Sequence, residues 1–385
     1  MLASNLNLQL PCLPIIRSEL STSDFMVQLS IVIGPALAIP SNIFTKFLSD
    51  RYAAKYLFIS CVLLFSFGSL ICALSNNIIF FLMGRSLQVL GDAGVSILGF
   101  VILSDLFPHS LSLGRYLGFN SILSSLAIVP SPLIGAWILS HYHWRWIFLL
   151  LFAFSVILFL LFLWCLDEKS NKKKENLSFS FLAYFQETHH LFKAPLFFLG
   201  AVIPALYMSL ASLFDLYTTF LCIDSFGLTP SEFSLFRVVL ILLSALASAV
   251  YLYMLSYGGI EGAFSLGFLG HLIYILILLS FYAIFPLANN YYNAFFLFCL
   301  PAMLCISLAF IDPISMLKIL SCSQDKKEAG LSVFALTRNV FSTFFLLLGT
   351  FFFNGAIYST TFIVFFISFS ILALLFFMKR FIKSY

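Results

Sequence analysis

Long apolar runs separated by short polar breaks fill this chain. A helix needs about 20 apolar residues to cross the hydrocarbon core of a bilayer. The runs at 26–48, 56–75, 78–104, 114–140, 144–166, 196–222, 233–255, 263–285, 291–317, 329–354 and 357–378 predict eleven such helices. Ahead of them, LASNLNLQLPCLPII runs up to Arg17, roughly 22 Å of helix at 1.5 Å per residue. No Lys or Arg precedes it, unlike a signal peptide. It reads as a first helix whose beginning is missing or abbreviated. The pattern therefore predicts an all-α membrane protein of about twelve transmembrane helices.

The long hydrophilic stretch LDEKSNKKKENLSFS divides the runs six and six. The predicted organisation is a six-helix bundle at 1–166, a central loop with an interfacial segment at 167–195, and a second six-helix bundle at 196–385. Segment 181–195, FLAYFQETHHLFKAP, mixes aromatic and polar residues as an interfacial helix does, so His189 and His190 read as interfacial rather than ligating. Counting loops from the first helix, the even loops, the C-terminus and their flanking turns hold fifteen of the twenty Lys and Arg; the odd loops hold only Arg17 and Arg145. The positive-inside rule then puts both termini and the central loop in the cytoplasm of a cell inner-membrane protein.

Composition agrees. Of 385 residues, 62% are hydrophobic and 9% charged, against about a quarter charged in soluble domains. The net charge of +4 comes with no basic tract of the kind nucleic acid requires. The eight cysteines mostly lie in apolar runs without CxxC pairs or His/Cys metal spacing, so they read as packing residues. Neither a metal nor a cofactor is expected. Catalytic triad, HExxH and P-loop patterns are missing too, which argues against an enzyme and for transport driven by a gradient.

Several polar residues interrupt the apolar runs. In MGRSLQVLGDAG (83–94), Arg85, Gln88 and Asp92 are spaced by three and four residues, which puts them within about 60° on one helix face. That face must look into the bundle or an aqueous cavity. It reads either as an internal Arg–Asp pair that pins the helix or as a stripe lining a transport path. The second half carries Asp215, Arg237, Asp312 and Arg338 inside runs, with Asp215 the deeper acid, and His271 near a run's end. Asn120 is a weaker candidate for the same cavity. A carboxylate shielded from water can take up and release a proton; Asp92 and Asp215 are the two candidates, with Arg85 as the electrostatic partner of Asp92.

These residues resemble the major facilitator superfamily. FLSDRYAAKY (47–56) is similar to its loop signature G-x-L-x-D-R-x-G-R-[RK], with Leu48, Asp50, Arg51 and Lys55 matching and Lys46, Ala53 and Ala54 departing. RSLQVLGDAG resembles its R-x-x-Q-G-x-G motif, and AIVPSPLIGAW (127–137) its antiporter signature. Within the superfamily the likeness is to Bcr/CflA-type drug-resistance transporters, through LPCLPII, SDLF, HWRWIF, FGLTPSEFSLF and EAGLSVFAL. Asn7 stands where that group often has Asp.

The resemblance implies two bundles that rock about a midplane site. It also implies a gate in which Asp50 caps the helix starting near Ala329 and Arg51 meets Asp105. Prolines at 130 and 132 bend a helix whose Gly135 and Ala136 allow a tight, dry contact between the halves. The function implied is proton-coupled efflux of small amphipathic compounds, by a monomer whose partners are its substrate, protons and the lipid bilayer. An exporter of a native metabolite or amino acid, or a receptor or scaffold without transport, are the alternatives.

Overall fold

The computed structural model describes residues 2–49, 52–106, 128–165, 191–284, 290–322, 327–353 and 360–382, and these contain helices and no strand. Among the described residues, ten helical segments are long and apolar enough to cross a membrane: Asp24–Thr45, Lys55–Leu74, Ile78–Ser96, Arg145–Trp164, Pro195–Ser225, Pro230–Leu255, Tyr257–Ala283, Leu297–Ile319, Ser332–Phe352 and Thr361–Arg380. Each overlies one predicted run. The predicted run at 114–140 lies largely outside the described residues, and its last part is helical. The chain divides into two compact units, Met1–Phe179 and Ser180–Tyr385.

In the first unit the opening segment is broken. Helix α1 (Leu2–Gln9) passes through a 3-10 turn (Leu10–Cys12) into α2 (Leu13–Glu19). Pro11 and Pro14 each stand in the first turn of the piece they open, where a missing N–H costs little. There follow α3 (Asp24–Ser49), α4 (Ala54–Leu74), α5 (Ile78–Leu106), α6 (Ser131–His141) and α7 (Arg145–Cys165). Helices α4 and α5 meet backbone to backbone. A Cβ on Gly91 would stand 2.5 Å from the Cys61 carbonyl oxygen, and one on Gly84 2.7 Å from Cys72 Sγ. Small residues allow that approach between helices whose apolar surfaces gain little by leaving lipid.

One end of this unit is stapled by polar contacts. Arg17 pairs with Asp24 at 2.6 Å. Glu19 Oε2 accepts from Trp144 Nε1 at 2.8 Å and pairs with His143 at 2.7 Å. Arg145 donates to the Ser75 carbonyl at 2.7 Å. The HWRWIF motif thus ties three loops together, above an edge-to-face cluster of Phe81, Trp144 and Phe148.

The second unit holds α8 (Pro195–Phe220), α9 (Pro230–Ile284), α10 (Asn290–Cys322), α11 (Lys327–Phe352) and α12 (Thr361–Ile382). Helix α9 starts with a capping box, which explains the TPSE spacing. Thr229 N–H donates to Glu232 Oε2 at 2.8 Å and Glu232 N–H to Thr229 Oγ1 at 3.3 Å. Its 55 residues would make a rod of about 82 Å, far longer than a bilayer is thick. The chain turns back at Gly259, where φ is +63°, a value that costs glycine nothing because it lacks a Cβ.

His271 lies inside the crossing Tyr257–Ala283, fully buried, and not near a helix end as its sequence position implied. Its Nε2 is 3.0 Å from the Ser368 carbonyl, and Tyr274 Oη is 3.1 Å from Ser368 Oγ. Tyr207 Oη lies 2.7 Å from Ser307 Oγ, which donates to the Gly267 carbonyl at 2.8 Å. This network fastens α8, α9, α10 and α12 together.

Candidate functional site

Helix α5 carries the predicted polar face. Arg85, Gln88 and Asp92 are all buried, at 4%, 0% and 1% exposure, so the stripe points into the unit and not at lipid. Their connections differ from the expected Arg85–Asp92 pair. Arg85 Nη1 donates to Gln88 Oε1 at 2.6 Å. The Gln88 amide nitrogen donates to Ser69 Oγ at 2.7 Å, and Ser69 donates to the Phe65 carbonyl at 2.8 Å. Gln88, one turn along, draws the guanidinium toward α4. Asp92 is two turns from Arg85, about 10 Å of rise, and no direct ion pair joins them. Asp92 Oδ2 has no hydrogen-bond partner among the described residues, and neither does Arg85 Nε. Gln88 is therefore a link in a relay that fixes Arg85, and Asp92 is a carboxylate enclosed by protein with an oxygen to spare.

Other polar groups share the interior of this unit. Asn5, Asn7 and Gln9 of α1 are buried, as is Gln28 of α3. The Gln9 amide donates to Asn5. Both side-chain polar atoms of Gln28 lack a partner among the described residues. Of these, only Asn7 stood out in the sequence; the four-residue spacing of Asn5 and Gln9 was the available signal.

The expected gate is only partly within view. Asp50, Arg51 and Asn120 lie outside the described residues. Asp105 falls in the last turn of α5, and its side chain lies outside them too. Pro130 is the exposed N-cap of α6 and Pro132 stands in its first turn. Gly135 makes a close approach inside the first unit: a Cβ there would stand 2.5 Å from the Leu8 carbonyl oxygen of α1.

In the second unit Asp215 of α8 is not alone. Arg237 of α9 hydrogen-bonds its carboxylate, with the two side chains 12% (Arg) and 23% (Asp) exposed. Asp312 of α10 and Arg338 of α11 approach to 3.7 Å. The predicted intramembrane charges thus fall into two acid–base pairs across neighbouring helices. No group of three or more His, Cys, Asp or Glu able to hold a metal occurs among the described residues.

Ten apolar crossings among the described residues, with charged side chains enclosed between helices, define a multi-pass membrane protein. The chain matches the Major Facilitator Superfamily over residues 1–321 and belongs to that superfamily. Among similar curated proteins are the bacillibactin exporter of Bacillus subtilis (strain 168), 30% identical over 141 residues, and the multidrug resistance protein B homolog of Mycobacterium tuberculosis (strain H37Rv), 35% identical over 95 residues. The alignments cover 34% and 24% of this chain and 35% and 17% of those proteins, so the chain spans about a third or less of the curated relatives it matches. Solved structures of the same fold include a D-xylose–proton symporter, with a TM-score of 0.72 at 14% identity over 98% of this chain and 96% of that one. A POT family transporter in complex with a thioalcohol-conjugated peptide has a TM-score of 0.75 at 15% identity over 99% and 93%.

Proposed function

We propose that the protein is a proton-coupled exporter of small amphipathic compounds that works by alternating access from the cell inner membrane, with both termini in the cytoplasm. The observation that carries this reading is Asp92: a carboxylate 1% exposed, inside a crossing, with an oxygen that has no partner among the described residues. A bare charge in such a place is costly. A proton, or the positive end of a substrate, relieves that cost, and the two compete for one site. Arg85, held through Gln88 and Ser69, supplies a fixed positive field two turns away on the same helix. Relatives named as an exporter and as a multidrug resistance homolog support the direction and the substrate class. The basic loops support the orientation. Asp50, Arg51 and Asp105 serve in this reading as the cytoplasmic gate, and Asp215 with Arg237 as a tie in the second unit.

Purified protein in liposomes, given an imposed pH gradient and a panel of amphipathic fluorescent dyes, tests the reading. Dye should accumulate against its gradient and stop doing so when the pH gradient is collapsed. Absence of gradient-driven movement for every dye would leave a receptor or scaffold as the better account.

A further inference from the structure

The second unit contains an arginine in an unusual setting. Arg338 lies eleven residues into α11, about 16 Å along the helix and inside the crossing Ser332–Phe352. Two other described arginines well inside crossings, Arg85 and Arg237, each donate a hydrogen bond to a side chain of their own unit. Arg338 donates none to any described residue. Its nearest acid, Asp312 on α10, stands 3.7 Å away, beyond hydrogen-bond range, and Asp312 Oδ1 is itself buried without a hydrogen-bond partner. The guanidinium lies 5.3 Å from the centre of the Phe334 ring, one turn back on the same helix.

We propose that Arg338 and Asp312 form a subsite for the carboxylate of an amphipathic substrate, a proposal that rests on the transport reading and narrows its substrate class. The Arg338 side chain is 29% exposed. Arg338 stands six residues, about 9 Å, inside the crossing Ser332–Phe352, and a charged group exposed there is favoured facing water over lipid, because hydrocarbon makes it costly. A guanidinium presents N–H donors in a planar fork that matches a carboxylate with two parallel bonds. In Arg338 that fork is balanced in charge by Asp312 but engaged in no hydrogen bond to a described residue. Asp312 repels any anion that approaches Arg338, a doubly charged phosphate more than a singly charged carboxylate, so the pair disfavours the dianion.

The test compares dansyl-phenylalanine with its amide, two probes alike in size and apolar surface, by fluorescence titration of the full chain in lipid nanodiscs. The acid should bind roughly tenfold or more tightly than the amide, the difference expected of charge-assisted hydrogen bonds. Arg338→Gln should bring the acid down to the level of the amide, and Arg338→Lys, which keeps the charge and loses the fork, should fall between. Asp312→Asn should tighten binding of the acid by removing the competing carboxylate. Equal binding of acid and amide by the wild type, or failure to bind either, overturns the subsite; so does a preference for the acid that survives in Arg338→Gln. Dye transport driven by a pH gradient is read separately. Transport without a preference for the acid rejects the subsite and leaves the transporter, whereas the preference without transport does the reverse.

Discussion

Arg85 donates a 2.6 Å hydrogen bond to Gln88, one turn further along the same helix, and this contact sets the direction of the guanidinium inside the first unit. The amide of Gln88 can do this only because its nitrogen end is held by Ser69. Were the amide flipped, an N–H would face the arginine and no acceptor would remain for it.

Ser69→Ala should therefore act at a distance. It leaves the buried Gln88 amide nitrogen without its acceptor, at a cost of about 1–3 kcal/mol, and loosens Arg85. Thermal unfolding of the purified protein should shift down and transport should slow, while Ser69→Thr, which keeps the hydroxyl, should recover most of both. A variant with wild-type transport and stability would show that the relay does not matter.

Asp92→Asn should separate binding from coupling. The amide keeps the shape and cannot exchange a proton, so substrate exchange across the membrane should persist while accumulation driven by a pH gradient is lost. Arg85→Ala should damage both, because it removes the fixed charge and strands the Gln88 carbonyl. Gradient-driven uptake by Asp92→Asn at the wild-type rate would make Asp92 a purely structural residue.

The seam between α4 and α5 gives a prediction about packing. A methyl group on Gly91 meets the Cys61 carbonyl at 2.5 Å and the Phe65 nitrogen at 2.6 Å, both backbone atoms. Gly91→Ala should force the helices apart and cost about 1–3 kcal/mol. Gly34→Ala, with nothing within 4 Å of the new Cβ, is the control and should be tolerated. Melting curves of the two variants should differ clearly.

Asp215 and Arg237 should behave as a pair. Removing either charge alone leaves the other uncompensated among helices, so Asp215→Asn and Arg237→Gln should each reduce the folded yield. The exchange Asp215→Arg with Arg237→Asp should restore part of it. If the exchange is no better than either single change, as read by fluorescence-detected size exclusion, the contact contributes little.

Reporter fusions address orientation. A cytoplasmic reporter joined after Lys174 or after Tyr385 should be active in both positions. Inactivity at Tyr385 would mean an odd number of crossings between the two points.

The sequence was informative where one helix decides the outcome. Runs of apolar residues marked the crossings because hydrocarbon penalises every interruption, and the spacing of residues 85, 88 and 92 placed them on one face because 3.6 residues make a turn. It was silent where two helices decide. Ser69 is nineteen residues from Gln88 and reads as an ordinary small residue in an apolar run. Asp215 and Arg237 were both recognised as costly, yet nothing in their spacing declared them partners. Gly135 suggested a close contact without saying that Leu8 would provide it. His271 stands mid-helix because the apolar run around it starts earlier than the pattern indicated, right after Gly259.

The turn at Gly259 also bears on how the protein enters its membrane. Between Leu255 and Gly262 the chain reads LSYGGIEG, with one acidic residue and no Lys or Arg. So short a connection joins the two crossings of α9 as a tight helical hairpin. The connection also lacks the positive charge that retains a loop on the cytoplasmic side. The hairpin takes its orientation from its neighbours, which makes the basic residues of distant loops responsible for the topology of a segment they never touch.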